Sequence, residues 1–172
     1  MIDIRPESPA DYEAIHQVNV AAFGRTNEAE LVDALRRDQA LVLSLVAGSG
    51  GLVVGHIAFS TARVIGDGAA YQTVALGPMS VLPDHQNQGI GSGLVRAGLA
   101  ALQRQGTTLV FVLGHPGYYP RFGFEPASQY GVRCEFDVAP EVFMVVALGT
   151  PPLGRRPVPS GTLTYHPDFR GV

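Results

Sequence analysis

The sequence predicts an α/β fold of the α+β kind, a mixed central β-sheet of about six to seven strands with flanking helices. Three observations carry this reading. Residues 8–37 repeat their apolar side chains at helical spacing, residues 40–81 hold three β-rich runs in succession, and residues 76–113 read as strand, glycine loop, helix and strand. The last arrangement predicts a parallel crossover, because a strand that returns through a helix comes back in the same direction.

Taken in order, Ile2-Asp3-Ile4-Arg5-Pro6 alternates and stops at proline, as a short first strand does. Ser8 stands where a helix cap would, with Pro9 at the first helical position and Asp11 three residues after the cap. That helix should run to about Phe23, turn Tyr12, Ile15, Val18, Asn19 or Ala22, and Phe23 inward, and end at Gly24. A second helix begins at Asn27, with Glu28 and Glu30 in its positive first turn and Arg36 and Arg37 at its end. The period then becomes extended: Ala40–Ala47 and Leu52–Ile65 flank a Gly-Ser-Gly-Gly hairpin turn, and Gly66-Asp67-Gly68 precedes Ala70–Val81. Ile90–Gln105 is helical, with Ile90, Leu94, Ala97 and Ala101 on one row and Gly106 as its stop. Thr107–Leu113 and Phe143–Leu148 read as strands, and Tyr118–Phe122 as a helical turn or two. The organisation expected is a single domain over 1–150, followed by a proline-containing extension, 151–172, that packs Leu163, Tyr165 and Phe169 back on it.

Composition excludes several function classes. No apolar run approaches the roughly 20 residues that span a bilayer, and the first residues lack a basic-then-apolar leader, so no membrane partner and a cytoplasmic location are expected. All 12 basic residues are arginine, dispersed except at Arg36-Arg37 and Arg155-Arg156, under a formal charge of −3; a nucleic-acid partner would need a clustered basic face. The one cysteine, Cys134, makes neither an internal disulfide nor a metal cluster, so no metal is expected. Cys134 lies in a strand-like run without a neighbouring histidine and reads as structural rather than as an acyl-accepting thiol.

The chemistry centres on Gln86-Asn87-Gln88-Gly89-Ile90-Gly91, between a strand that closes at Pro83 and the helix from Ile90. N–H groups at a helix start lack intrahelical partners and face a positive dipole end, so this junction suits a phosphate. Without a Gly-Lys-Ser/Thr it is no triphosphatase loop, and Gly89-Ile90-Gly91 does not make the longer dinucleotide fingerprint. Gln-x-x-Gly-x-Gly after Val-x-Pro, together with Tyr118-Tyr119-Pro120-Arg121-Phe122-Gly123-Phe124, resembles the GNAT superfamily of acetyl-CoA-dependent N-acetyltransferases. The element order matches that fold from Ile2 to Leu148, and Leu76–Val81 with Gly161–Phe169 makes the chain most like the YhbS-like group.

The resemblance implies a GNAT fold with a splayed cofactor cleft, acetyl-CoA (coenzyme A) as co-substrate, and transfer of acetyl to a primary amine by direct attack in a ternary complex. It assigns pyrophosphate binding to the backbone of Asn87, Gln88, Gly89, Ile90, Gly91 and Ser92, and the pantetheine arm to the strand at Met79, Ser80 and Val81. Pro78, unable to donate to a ladder, suits a bulge or splay there. Tyr119 aligns with the family tyrosine that protonates the leaving thiolate, with Tyr118 able to exchange roles. The general base is open between Glu28, at the start of the second helix, His115, after the fifth strand, and an ordered water chain; Glu28 and Glu30 also read as solvated first-turn acids, and His115 as a turn histidine. His85 reads as a solvent- or phosphate-side group, His56 as structural, and Arg96 and Arg121 as solvated or phosphate-reaching. The acceptor is a small-molecule or peptide amine of unspecified identity. Dimerisation is common in the family, so a homodimer is compatible with the chain although no residue specifies one. The alternative function is a non-catalytic acyl-CoA-binding or regulatory module, favoured by the lack of the family's glutamate before the loop and of its asparagine near His115.

Overall fold

The first helix begins as its sequence dictates: Asp11 Oδ2 accepts the Ser8 N–H at 2.7 Å and the Ser8 hydroxyl at 2.9 Å, and the Asp11 N–H donates to the Ser8 carbonyl at 2.9 Å. Arg5 adds a fork to both Asp11 oxygens at 2.8 Å, and this pairing holds the Asp11 carboxyl far below the usual carboxylate range. The computed structural model describes all residues, Met1–Val172. Its main elements are β1 (Ile2–Pro6), α1 (Tyr12–Phe23), α2 (Asn27–Arg37), β2 (Leu41–Ser49), β3 (Leu52–Gly66), β4 (Ala69–Val81), α3 (Ile90–Arg104), β5 (Leu109–Leu113), β6 (Glu125–Pro126), β7 (Val132–Cys134), β8 (Phe143–Ala147) and β9 (Gly161–Thr164). Hydrogen-bonded strand order is β1-β2-β3-β4-β5-β8-β6, a seven-strand path, with β9 joined to β3 and β7 off it; the sheet therefore has nine strands, more than the six to seven expected. No helix is long and apolar enough to cross a membrane.

Two compact units share this chain. The first holds Met1–Ser60, Gly77–Ala101 and Pro167–Val172. Here β1 and β2 pair antiparallel from Ile2↔Ser49 to Pro6↔Leu45, and β2 and β3 from Leu41↔Ser60 to Ser49↔Leu52. Alternation on β3 sorts its two faces. Ala58 joins Ile15, Val32 and Val46 in a core beneath α1 and α2, whereas Gly55 and Phe59 face α3. A Cβ at Gly98 would stand 2.4 Å from the Phe59 ring, so α3 approaches β3 as closely as a glycine permits. Tyr12 and Phe23, expected inward, are exposed; Tyr12 instead carries the Arg36 guanidinium 3.9 Å over its ring. Phe169 packs on Leu31, Leu35 and Ala40.

The second unit holds Thr61–Leu76 and Leu102–His166. The predicted crossover is present: β4 and β5 are parallel at Val74↔Val110, Ala75↔Phe111 and Leu76↔Val112. β5 then pairs antiparallel with β8, and Phe111 stacks on Phe143 at 5.7 Å. The tail does more than pack. Its residues Gly161–Thr164 form β9, pairing with β3 at Arg63↔Thr164 to Ile65↔Thr162 and with β7 at Val132↔Gly161 to Cys134↔Leu163.

A buried polar chain crosses the first unit. His56, fully buried, receives an N–H from Asn19 Nδ2 at its Nδ1 (3.2 Å) and meets the Ser44 hydroxyl at its Nε2 (2.9 Å). The same Asn19 amide donates to the Ile15 carbonyl, which fixes its orientation; His56 therefore carries its proton on Nε2 and donates to Ser44, which donates to Glu7. Arg36 closes the chain with two bonds to Glu7 at 2.9 and 3.0 Å. Burial is the main reason that the imidazole is pushed down to about 4. Unfolded, His56 takes up a proton near its ordinary 6.5, so its stabilisation is complete above that pH and is lost as pH falls toward about 4. We expect the unfolding free energy from denaturant titration to drop across this window by up to about 3 kcal/mol, and His56→Gln to flatten that part of the profile; an unchanged profile in the variant would show that other groups cause it.

Candidate active site

In the first unit, β4 reaches its functional end through Gly77, whose φ of +138° only glycine holds without strain, and Pro78, which donates no ladder hydrogen bond. Met79 and Val81 are half-buried and Ser80 is buried, with its hydroxyl making no hydrogen bond. The Leu82 N–H returns to β3 at the Val54 carbonyl (2.9 Å), and Pro83–His85 turn the chain. Two side-chain amides then tie the loop to itself: Gln86 Nε2 donates to the Val81 carbonyl (3.0 Å) and Gln88 Nε2 to the Asp84 carbonyl (3.2 Å). Asn87 at φ 59° and Gly89 at φ 82° are left-handed. The first helical bond of α3 is from Gly93 N–H to the Gly89 carbonyl at 2.9 Å. The N–H groups of Asn87, Gln88, Gly89, Ile90 and Gly91 donate to no group of the chain, and Gln86–Gly89 are exposed. The result is a set of free amides, exposed as far as Gly89, at the positive end of a 15-residue helix, which is chemistry for an anion. Gly91 and Ser92 lie in the first helical turn.

In the second unit, β5 gives way to Gly114, whose N–H donates to the Val142 carbonyl at 2.9 Å. The His115 carbonyl accepts the N–H groups of Tyr118 (3.0 Å) and Tyr119 (3.3 Å), and Tyr119–Phe122 make one tight helical turn. The His115 imidazole is exposed and unbonded. Tyr119 is 7% exposed, edge-on to Tyr118 at 5.1 Å and to Phe124 at 5.6 Å. Its hydroxyl bonds to no protein group, and burial, assisted by Tyr118, pushes it up to about 12, so it is a neutral donor across the physiological range. The ring lies on the bare Cα of Gly114, where a Cβ would come within 2.1 Å of Cε2. Tyr118 differs: Arg121 stacks on it at 4.5 Å and donates to its carbonyl at 2.9 Å, which turns Arg121 toward its own loop.

The remaining candidates lie in other settings. Glu28 is buried rather than solvated, and its carboxylate is forked by Arg25, a partner that reading the helix start alone did not find. The signal was available in Arg25-x-x-Glu28, an i,i+3 pair across a helix start. Glu30 is exposed, as is Arg96. The Cys134 sulfur accepts the Phe136 N–H at 3.4 Å and burial pushes the thiol up, the opposite of an activated nucleophile.

Against known proteins, residues 3–127 match the acetyltransferase (GNAT) domain. The chain belongs to the GNAT family of acetyltransferases. Among its relatives, the uncharacterized N-acetyltransferase YjhQ of Escherichia coli K12 is 41% identical over 95% of this chain and 92% of its own. The crystal structure of the GNAT N-acetyltransferase YhbS from Escherichia coli in complex with CoA superposes with a TM-score of 0.89 at 35% identity, covering 98% of this chain and 92% of that one. A GNAT acetyltransferase from Brucella melitensis in complex with acetyl-CoA gives 0.80 at 41% identity, covering 98% of both chains. The GNAT fold expected from the element order is thus the fold observed.

Gly114 offers a direct check on how Tyr119 is held. Gly114→Ala should destabilise the chain by about 1–3 kcal/mol through overpacking and change the near-ultraviolet tyrosine signal. The same substitution leaving both unaltered would mean that the ring is not held against that backbone.

Proposed function

We propose that this GNAT chain transfers acetyl from acetyl-CoA to a primary amine by direct attack in a ternary complex, as one acyltransferase domain over 1–150 with the 151–172 extension. The observation that carries the reading is the run of unpartnered amides from Asn87 to Gly91, exposed over its first three residues, which fits a pyrophosphate. The CoA and acetyl-CoA complexes of the YhbS and Brucella relatives support it. When bound, acetyl-CoA supplies a thioester already activated toward an amine, so the chain needs to hold, orient and manage protons.

Asn87, Gln88, Gly89, Ile90, Gly91 and Ser92 hold the pyrophosphate by backbone donors. Met79, Ser80 and Val81 offer strand edge to the pantetheine arm, and an N–H near Met79 polarises the thioester carbonyl. Tyr119 gives its hydroxyl proton to the departing sulfur, a role for which a neutral, unengaged phenol is suited. His115, exposed and unbonded, takes the proton that the amine sheds. Glu28 serves on the acceptor side as an anion, since its carboxylate is already engaged by a cation.

A thiol-release assay over a panel of amines, beside calorimetric titration of acetyl-CoA, tests the reading. Turnover with some amine supports it, and binding without turnover would leave a non-catalytic acyl-CoA-binding module. Tyr119→Phe should lower kcat on the order of 100-fold with acetyl-CoA affinity little changed; equal turnover would remove Tyr119 from proton transfer. Gly89→Ala forces a left-handed position on a residue with a Cβ and should weaken acetyl-CoA binding about tenfold, costing roughly 1–2 kcal/mol. Undiminished affinity in that variant would take the pyrophosphate off this loop.

A further inference from the structure

Three ion pairs of the first unit bury an acid, and one is built unlike the others. Asp11 is forked by Arg5 and also accepts the Ser8 N–H and hydroxyl. Glu7 accepts Arg36 and the Ser44 hydroxyl, and Arg36 is itself only 15% exposed, bonded also to Asp33 and stacked on Tyr12. Glu28 has neither safeguard. Its side chain is 6% exposed, and its only hydrogen bonds come from Arg25, through Nε to both oxygens (3.1 and 3.0 Å) and the terminal nitrogen to Oε1. That arginine is 53% exposed and stands in the Gly24-Arg25-Thr26 connector, between the left-handed end of α1 and the start of α2.

A buried carboxylate anion stripped of its sole partner is strongly unfavourable, so this position favours a cation over none. The present one is attached from the solvent side by a side chain whose hydrogen bonds all go to Glu28. Another guanidinium or ammonium of the same fork or point-charge chemistry can take its place.

We propose that Glu28 is a cation-receiving site that Arg25 latches when no ligand is present, and that it takes the second basic group of an acceptor carrying two. The word acceptor rests on the N-acetyltransfer reading; the cation site does not. The group seated on Glu28 keeps its proton, and a protonated nitrogen has no lone pair with which to attack a thioester. The nucleophile is therefore the acceptor's other amine, which makes Glu28 a positioning residue and a diamine or guanidinium-bearing amine the favoured substrate class.

The test separates the two claims. Folding of each variant is followed by circular dichroism, and ethylguanidinium is titrated at low millimolar concentration into Arg25→Ala while its melting temperature is read. Ethylguanidinium should raise the melting temperature of Arg25→Ala and leave Arg25→Ala/Glu28→Gln unmoved. If Arg25→Ala does not fold, Arg25→Gln serves in the same comparison. Stabilisation independent of Glu28, or none, would overturn the site. In the full-length enzyme, Glu28→Gln should raise KM for 1,4-diaminobutane at least about tenfold more than for butylamine, a loss on the order of 1.4 kcal/mol in selectivity. Equal effects on the two amines would overturn the acceptor assignment while the cation site stood. Failure of every amine to accept acetyl would count against the N-acetyltransfer reading instead.

Discussion

The parallel pairing of β4 with β5 covers Val74, Ala75 and Leu76 and stops there, while β4 continues through Gly77–Val81. Past that point the backbone of β4 on the side away from β3 has no strand partner, and unpaired backbone in a sheet calls for something to bond. Gly77 and Pro78 sit at the departure, one with a φ that only glycine tolerates and the other without an N–H to leave unsatisfied. The freed strand then delivers the chain into a loop whose own side-chain amides brace it and whose backbone amides point to no internal acceptor. Strand edge and anion-binding loop are consecutive in sequence because both follow from one interruption of one ladder.

Rigid support for this arrangement comes from packing rather than from charge. Ile90 and Leu94 seat the start of α3 against Gly55, and Gly98 lets the helix sit on Phe59. The loop is thereby held at the head of a fixed helix, which preorganises its amides at little entropic cost on binding. On the other face of β3, the chain Asn19–His56–Ser44–Glu7–Arg36 satisfies its buried donors in sequence. Such a network fixes one arrangement of α1, α2 and β1 to β3, since removing any member strands its neighbour.

Much of this was legible in the sequence, for physical reasons that differ by element. The long strands and three helices announce themselves because their apolar periods are clean and their ends carry Ser8, Pro9, Gly24 and Gly106. The loop at Gln86–Gly91 was legible because glycine spacing is a direct statement about backbone. β9 was hidden: four residues, Gly161–Thr164, follow a run of prolines and arginines, and their pairing with β3 and β7 depends on tertiary contact that no local period records. Tyr12 and Phe23 lie at helical spacing yet face outward, since a large aromatic at a helix end can cover its neighbours without entering the core. The pairing of Glu28 with Arg25 was legible as an i,i+3 spacing, but its burial was not, because charge at a helix start reads as solvated until the neighbouring elements are in place.

The central claim is that the backbone of Asn87–Gly91 binds a pyrophosphate. Calorimetric comparison of acetyl-CoA with S-acetylpantetheine, which keeps the thioester arm and lacks the pyrophosphate, tests it most directly. Hydrogen bonds to charged groups contribute about 1.5–3 kcal/mol each, so loss of two or more should weaken binding by at least about 100-fold. Equal affinity for the two would contradict the account, and the free amides would then need another explanation.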